Sequence, residues 1–278
     1  LAVDWFIGDA GLDKAAAVHF FRGRISMVLK RAVAKLFDRF TGRSSQDAAA
    51  QSPFDAEIAY WDRELSLQGD FASLVVARLD PEKMIDTCPA LFEKYRAKIS
   101  RTGAKVLDVG SGPLSLLAHG HYRKLYELDC VDPLADEYRK LLAKYGYRIE
   151  YRLVQCPGET LSKVFAENDY DIVWMHNALD HSQNPEIVVR EMAKVLRPGG
   201  YLCIAGWANE GTAEGFLGLH QNDLRLIDGR LHLATKADRT PKQIDALDCL
   251  TVIESHQYKP EEEPKEWMHI VYEKRQDA

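Results

Sequence analysis

VLDVGSGPLS (residues 106–115) sets an apolar run against a glycine-rich turn, the sequence form of a strand that enters a helix through a loop. What the loop can hold decides how the whole chain is read. A dinucleotide fingerprint requires G-x-G-x-x-G, the third glycine letting the helix approach the strand. Gly110 and Gly112 supply the first two, Ser115 stands at the third position, and Pro113 follows the second glycine directly. No Lys-Ser/Thr pair is present, so the loop is not a P-loop. It lets a ligand come close to the backbone but lacks the usual pyrophosphate cradle, and a purely structural turn stays open on these residues alone.

Outward from the loop, KVLDVG, YELDCVD, IEYRLVQ, DIVWMH and YLCIAGW are five short β-rich runs with helical segments between them. The clearest helices are ADEYRKLLAKYG and PEIVVREMAKVL, the latter closed by Pro198-Gly199-Gly200. Strands alternating with helices predict a Rossmann-like, doubly wound and mostly parallel sheet. Past Trp207 the order breaks: DLRLIDGRLHLAT carries Asp228-Gly229 between alternating runs, a hairpin signal. CLTVIESHQY and WMHIVYEK, joined by the acidic turn KPEEEPKE, complete a seven-stranded sheet whose last strand is antiparallel. The expected organisation is a helical extension over 1–45 and an α/β domain over 54–278, with a hairpin insertion over 207–245.

The chain has 278 residues, a formal net charge of −6 and 46% hydrophobic residues, which suits one α/β domain with additions. The acidic balance argues against a nucleic-acid partner. No apolar run reaches membrane-spanning length. No signal peptide stands in the sequence, which opens on Leu1 rather than Met, so the reading leaves open a leader before it. Cys88, Cys130, Cys156, Cys203 and Cys249 are widely spaced with no CxxC pair, as expected of free thiols in a reducing cytoplasm and not of a zinc site or disulfide frame. Residues 14–43 hold eight Lys/Arg against Asp38 alone, with apolar residues at helical spacing. Such a basic amphipathic helix docks on an anionic membrane surface, on a partner, on a second copy of the chain or on its own domain. The protein is therefore expected in the cytoplasm, at the inner face of a membrane if the helix binds there. TGRSSQDAAAQSP (residues 41–53) reads as a linker, and FDAEIAYWDREL after it as a helix.

Two carboxylates mark the ligand edge of the sheet. Asp108 lies two residues before Gly110 at the end of the first strand, and Asp132 ends the second strand, 20 residues beyond Gly112. A carboxylate at the second position accepts hydrogen bonds from ribose hydroxyls, and ligands of open α/β sheets bind at the carboxyl ends of strands.

VLDVGSGP, then VDP, then DIVWMHNALDH, then EMAKVLRPGGYLCI, in this order and spacing, resembles the class I S-adenosylmethionine-dependent methyltransferases. The resemblance implies that Gly110 and Gly112 pass beneath S-adenosyl-L-methionine, that Asp108 faces its amino-acid end and that Asp132 binds its ribose. It also implies that Gly158 and Glu159, in CPGETL, flank adenine, although the Asp that many relatives carry near Pro157 is missing. Asn177 and Ala178 would line the sulfonium end. Tyr60 and Trp61 would lie on a lid helix, with plain core packing the other reading. The cofactor, a cation without phosphate, suits carboxylates and aromatic faces.

The implied reaction is methyl transfer to a small polar acceptor, foremost a hydroxyl oxygen and with saccharides among the candidates. The alternative is a non-catalytic module recruited through its N-terminal helix to a membrane or partner. A nicotinamide-dependent reductase is disfavoured by the loop. An alcohol must lose a proton, so a base is needed near the methyl group; HNALDHSQNP offers Asp180 and His181, and GLHQND offers His220, while His176 reads as structural. Asp180, His181 and Asn184 could ligate magnesium, but no dense acidic cluster accompanies them and no metal is expected. The D/N-P-P-Y/F motif of amino-methylating DNA enzymes is replaced by Asn177-Ala178-Leu179-Asp180. Asn209, Glu210, Gln221, Asn222, Asp223 and Arg225 suggest a polar wall for a hydroxylated acceptor.

Overall fold

The structure is a computed structural model that describes residues 52–276 except 262. The predicted basic helix of residues 14–43, the 1–45 extension and most of the linker lie outside the described residues. Helix α1 (Pro53–Leu65) begins where Ser52 and Asp55 exchange side chain-to-backbone hydrogen bonds, a capping box, with Pro53 in the first turn. It is followed by α2 (Ala72–Leu79) and α3 (Ala90–Arg96), and beyond the glycine loop by the short α4 (Ala118–Tyr122). Helices α5 (Ala135–Lys144) and α6 (Pro185–Val195) carry the crossovers, and α7 (Glu210–Ala213) opens the insertion.

Seven strands form one sheet in the order β3-β2-β1-β4-β5-β10-β9. Strands β1 (Ala104–Val109), β2 (Tyr126–Asp132), β3 (Arg152–Gln155), β4 (Tyr170–His176) and β5 (Leu196–Trp207) run parallel. Strand β10 (Trp267–Lys274) is antiparallel to both β5 and β9 (Leu250–Tyr258). Helices cover both faces, so alternate residues of one strand enter different cores. Val109, Val173 and Ile204 pack with Val188 and Met192 of α6, whereas Val106, Trp174 and Cys203 pack with Phe92 and Tyr95 of α3. This double burial explains why β4 reads as an unbroken apolar run after Asp171.

Two boundaries differ from the sequence expectation. Helix α6 stops at Val195, because Leu196 is already extended and pairs with Tyr170 in β4; Pro198-Gly199-Gly200 then falls in an irregularity of β5, with Gly199 at φ +73°. Strand β3 covers only the last four residues of IEYRLVQ, as expected of an edge strand with a single partner. The insertion holds the predicted hairpin: β6 (Asn222–Ile227) and β7 (Arg230–Thr235) pair through Asp228 (φ +51°) and Gly229 (φ +72°), the two positive φ values a tight two-residue turn requires. With the two-residue β8 (Lys242–Gln243) they form a second, three-stranded sheet.

Asp171, fully buried at the start of β4, ties neighbouring elements together. Its Oδ2 accepts from the Lys105 backbone N–H (2.7 Å) and meets Arg101 Nε (3.0 Å), and Arg197 approaches Oδ1. Asp171→Ala is expected to destabilise the fold by about 3 kcal/mol, because it strips the carboxylate from a buried backbone donor and two guanidinium groups at once. Urea unfolding of the two proteins checks this; a loss below about 1 kcal/mol would show that the arginines are satisfied by water.

Candidate functional site

The glycine loop is pinned to the end of β2. The N–H groups of Gly110 and Ser111 donate to Val131 O (2.8 and 3.2 Å), and Gly112 N–H donates to Asp132 Oδ2 (3.1 Å). Both glycines have positive φ, +70° and +61°. A Cβ on Gly110 would lie 2.5 Å from the Ala178 methyl, and one on Gly112 would lie 3.2 Å from the Trp61 ring. The loop therefore passes between the turn after β4 and helix α1, with no room for side chains. Trp61 and Tyr60 both belong to that wall. Trp61 packs edge-on against Tyr138 and Tyr60, Tyr60 also packs against Phe71, and Trp61 Nε1–H donates to Glu57 (2.9 Å).

The two strand-end carboxylates are buried beside this loop. Asp132 Oδ1 accepts from Leu134 N–H (2.8 Å) while Oδ2 takes Gly112, which leaves lone pairs on both oxygens. Burial raises its pKa to about 7 against the opposing effect of these two donors. Asp108 is raised to about 6, again by burial, which outweighs the Ser115 hydroxyl (2.6 Å) and the positive charge of Arg78. Ser115, which takes the place of the third fingerprint glycine, thus holds Asp108 in position.

Arg78 was not singled out from sequence. One nitrogen, Nη1, donates to Leu114 O (3.1 Å), whereas the buried Nε makes no hydrogen bond among the described residues. Burial lowers its pKa to about 10, and Asp108 and Tyr60 lie close enough to oppose that shift. The only sequence signal is a lone base late in the apolar helix ASLVVARL, too weak to separate from a solvated residue.

The remaining predicted contacts are more structural in character. Gly158 packs against α6, where a Cβ would come within 3.0 Å of Val188. Glu159 Oε1 accepts from the backbone of Gln183 (2.9 Å) and Asn184 (3.1 Å), tying the turn after β3 to the turn after β4. Asn177 adopts φ +52°, and its Oδ1 accepts from Trp207 N–H (3.2 Å). His176 stacks on Trp174 and leans on Trp267.

Asp180, His181 and His220, predicted separately, converge across 40 residues of sequence. His220 Nδ1–H donates to Asp180 Oδ2 (2.7 Å), and this fixes the tautomer because a carboxylate only accepts. His181 Nε2 lies 3.1 Å from the same His220 nitrogen and 3.5 Å from Asp180 Oδ2. Burial lowers the His220 pKa, but the hydrogen bond and charge of Asp180 outweigh it and leave it above the ordinary value. Asn222 Nδ2 donates to Asp180 O (2.9 Å) and Ser182 O (2.8 Å), locking the insertion onto this turn. Asn184, considered as a ligand, instead caps α6 by accepting from Ile187 N–H (3.1 Å).

Much of the expected polar wall is engaged inside the protein. Asp223 binds Thr212 and Arg239, Glu210 pairs with Lys265, and Gln221 donates to Phe216 O and Gly218 O. Of the expected wall, Glu210, Gln221, Asn222 and Asp223 are thus engaged in holding the insertion together.

These arrangements fit an adenosine sulfonium ligand: a side-chain-free cradle, a buried carboxylate with spare lone pairs, an orphaned guanidinium nitrogen, and aromatic rings at the wall. Residues 107–204 match the family described as "Methyltransferase domain". An uncharacterized methyltransferase of Schizosaccharomyces pombe is 31% identical over 125 residues, 42% of this chain and 44% of that protein. A ubiquinone biosynthesis O-methyltransferase of Xanthomonas axonopodis pv. citri is 29% identical over 123 residues, 42% of this chain and 48% of the relative. The chain thus spans about half the length of the curated relatives it matches. An N-methyltransferase of Haemonchus contortus, solved with phosphomonomethylethanolamine and S-adenosylhomocysteine, superposes with a TM-score of 0.50 over 67% of this chain and 52% of its own at 13% identity, a likeness of fold. Among the described residues no helix is long and apolar enough to cross a membrane.

Proposed function

We propose that this chain, a class I S-adenosylmethionine-dependent methyltransferase by its fold and its residues 107–204, methylates a hydroxyl oxygen of a small molecule. The observation that carries the oxygen assignment is the Asp180–His220 pair, held on the turn after β4 whose Ala178 packs against Gly110 of the loop. An amine already offers a lone pair once neutral, whereas an alcohol needs its proton removed as it attacks.

S-adenosyl-L-methionine supplies an electrophilic methyl group on a sulfonium. The protein's part is to hold and to deprotonate. Asp132 accepts the ribose hydroxyls on the lone pairs that Gly112 and Leu134 leave free. Gly110, Gly112, Gly158, Glu159 and Asn177 would hold the cofactor. Arg78 Nε and Asp108 would meet the carboxylate and ammonium of its amino-acid end. Tyr60 and Trp61 exclude water from the loop. With Nδ1–H held by Asp180, His220 has its Nε2 lone pair for the acceptor's proton, and Asp180 stabilises the imidazolium that forms. His181 sits against the pair and restricts the rotation of His220.

The buried state of Asp132 gives this reading a pH signature. With a pKa near 7 it is partly protonated before binding, and hydroxyl donors favour its ionised form. Below about pH 7 binding must therefore expel a proton. S-adenosylhomocysteine affinity is expected to rise with pH by up to about tenfold per unit and to level off above 7. Calorimetry at pH 6 in buffers of different ionisation enthalpy reads the proton directly; no release would contradict a ribose contact at Asp132. The acceptor assignment is tested by incubating the protein and S-adenosylmethionine with matched alcohol and amine panels. Methylation of amines alone would overturn it.

A further inference from the structure

We propose that Cys88, Glu93 and His119 form a zinc site, with the Cys88 thiolate, one Glu93 carboxylate oxygen and His119 Nε2 as three protein ligands. The three residues are scattered in sequence, so no ligand spacing announces them. The fold brings them together where the segment leading into α3, α3 itself and α4 meet. Cys88 Sγ lies 3.7 Å from Glu93 Oε1, His119 Nε2 lies 3.2 Å from that same oxygen, and all three ligand atoms fall within 4.8 Å of one another. Bond lengths of about 2.0 Å to nitrogen or oxygen and 2.3 Å to sulfur in a tetrahedron put such ligands about 3.3–3.6 Å apart. The two spacings to Glu93 Oε1 already lie within tenths of an ångström of that range, and the Cys88–His119 spacing, at most 4.8 Å, closes as the thiolate and imidazole turn toward the ion.

His119 supplies the independent observation. It is 1% exposed; Nδ1 makes no hydrogen bond among the described residues, and Nε2 has only the Glu93 carboxylate, at 3.2 Å and out of hydrogen-bond alignment. Its surroundings are apolar and aromatic, with the Tyr126 ring edge-on at 6.2 Å. A buried imidazole without hydrogen bonds costs the desolvation of both nitrogens, and a metal on Nε2 removes part of that cost. Arg96 Nε holds the other carboxylate oxygen of Glu93 (2.7 Å), which orients Oε1 toward His119 and Cys88, as an outer partner of a metal ligand does. Thiolate and carboxylate balance the charge of Zn²⁺, while the charges of Arg96 and Asp108 act on Cys88 in opposite senses. Cys88 binds by releasing its proton to solvent, and His119 binds neutral. Without metal, burial pushes the Cys88 thiol's pKa up. The partial exposure of Cys88 and Glu93 gives the ion a way in.

The site staples α3 to α4, the helix that leaves the cofactor loop, and it does not depend on methyl transfer. The test uses Co²⁺ as a spectroscopic stand-in, because only a thiolate ligand gives a sulfur-to-cobalt charge-transfer band. A cation held at Asp180–His181–His220 or at Glu254–His256–His269 would give none. Metal-free full-length chain titrated with Co²⁺ is expected to develop the band to saturation at one equivalent and to lose it when Zn²⁺ is added. Cys88→Ser should abolish the band and Cys249→Ser should keep it. In the wild-type protein Zn²⁺ should also protect one cysteine from alkylation, identified as Cys88 by peptide mass, so the result does not hang on how the variant folds. Absence of the band, its survival in Cys88→Ser, or protection of a different cysteine would each overturn the proposal.

Discussion

A His220→Ala protein is expected to keep its affinity for S-adenosylhomocysteine within about twofold and to lose about 10²–10⁴-fold in kcat, the range of a positioned general base. The separation follows from geometry. His220 stands on the insertion and reaches the strand-end turn only through Asp180 (2.7 Å) and His181 (3.1 Å), whereas the glycine loop is held by β2 and lined by α1. Asp180→Asn should reproduce most of the loss, because an amide no longer favours the Nδ1–H tautomer or the imidazolium. The wild-type rate should fall as pH drops through the His220 pKa, which Asp180 holds above the ordinary value of about 6.5 despite the opposing effect of burial. In Asp180→Asn that inflection should move to lower pH. An unchanged kcat in His220→Ala, measured by methyl incorporation into an accepted substrate, would remove the base and with it the argument for oxygen.

Asp132→Ala is expected to weaken S-adenosylhomocysteine binding by about 1–3 kcal/mol, roughly 5- to 150-fold. If the proposed ribose contact holds, two losses combine: the ribose hydroxyls lose their acceptor, and Gly112 and Leu134 N–H lose theirs, so the loop itself is less ordered. The same substitution removes a carboxylate whose burial raises its pKa to about 7, so the protein without cofactor should not be correspondingly destabilised near neutral pH. Calorimetric affinity and a denaturant midpoint, read on the same preparation, separate these effects. A variant that binds as tightly as wild type would place the ribose elsewhere.

The strands were legible because each parallel one is buried on both faces: Leu107, Val109, Val173 and Ile204 serve one core and Val106, Trp174 and Cys203 the other. Edges and junctions were less so. IEYRLVQ overstates β3 because apolar residues before Arg152 pack without pairing, and Pro198-Gly199-Gly200 imitates a helix stop that Leu196 has already made. The juxtaposition of Asp108, Gly110, Gly112 and Asp132 was readable because loop and strand end are local in sequence. The Asp180–His220 contact spans 40 residues and depends on where the insertion folds back, which no periodicity encodes. Arg78 and the Cys88–Glu93–His119 group are invisible for the same reason. Their chemistry arises from burial at a junction of helices, and single residues at irregular spacing leave no pattern. Asn222, Asp223 and Glu210 show the converse error: polar residues that suggest a binding wall are engaged in holding the insertion together.

The most direct test of the central claim is a calorimetric titration of the full chain with S-adenosylhomocysteine at pH 8, with NADH and ATP run alongside. A glycine loop without a third glycine or a P-loop lysine, set beside a buried carboxylate, predicts saturable one-to-one binding of S-adenosylhomocysteine and no heat of binding from either phosphate-bearing nucleotide. Silence with S-adenosylhomocysteine, or tight binding of NADH or ATP, would contradict it.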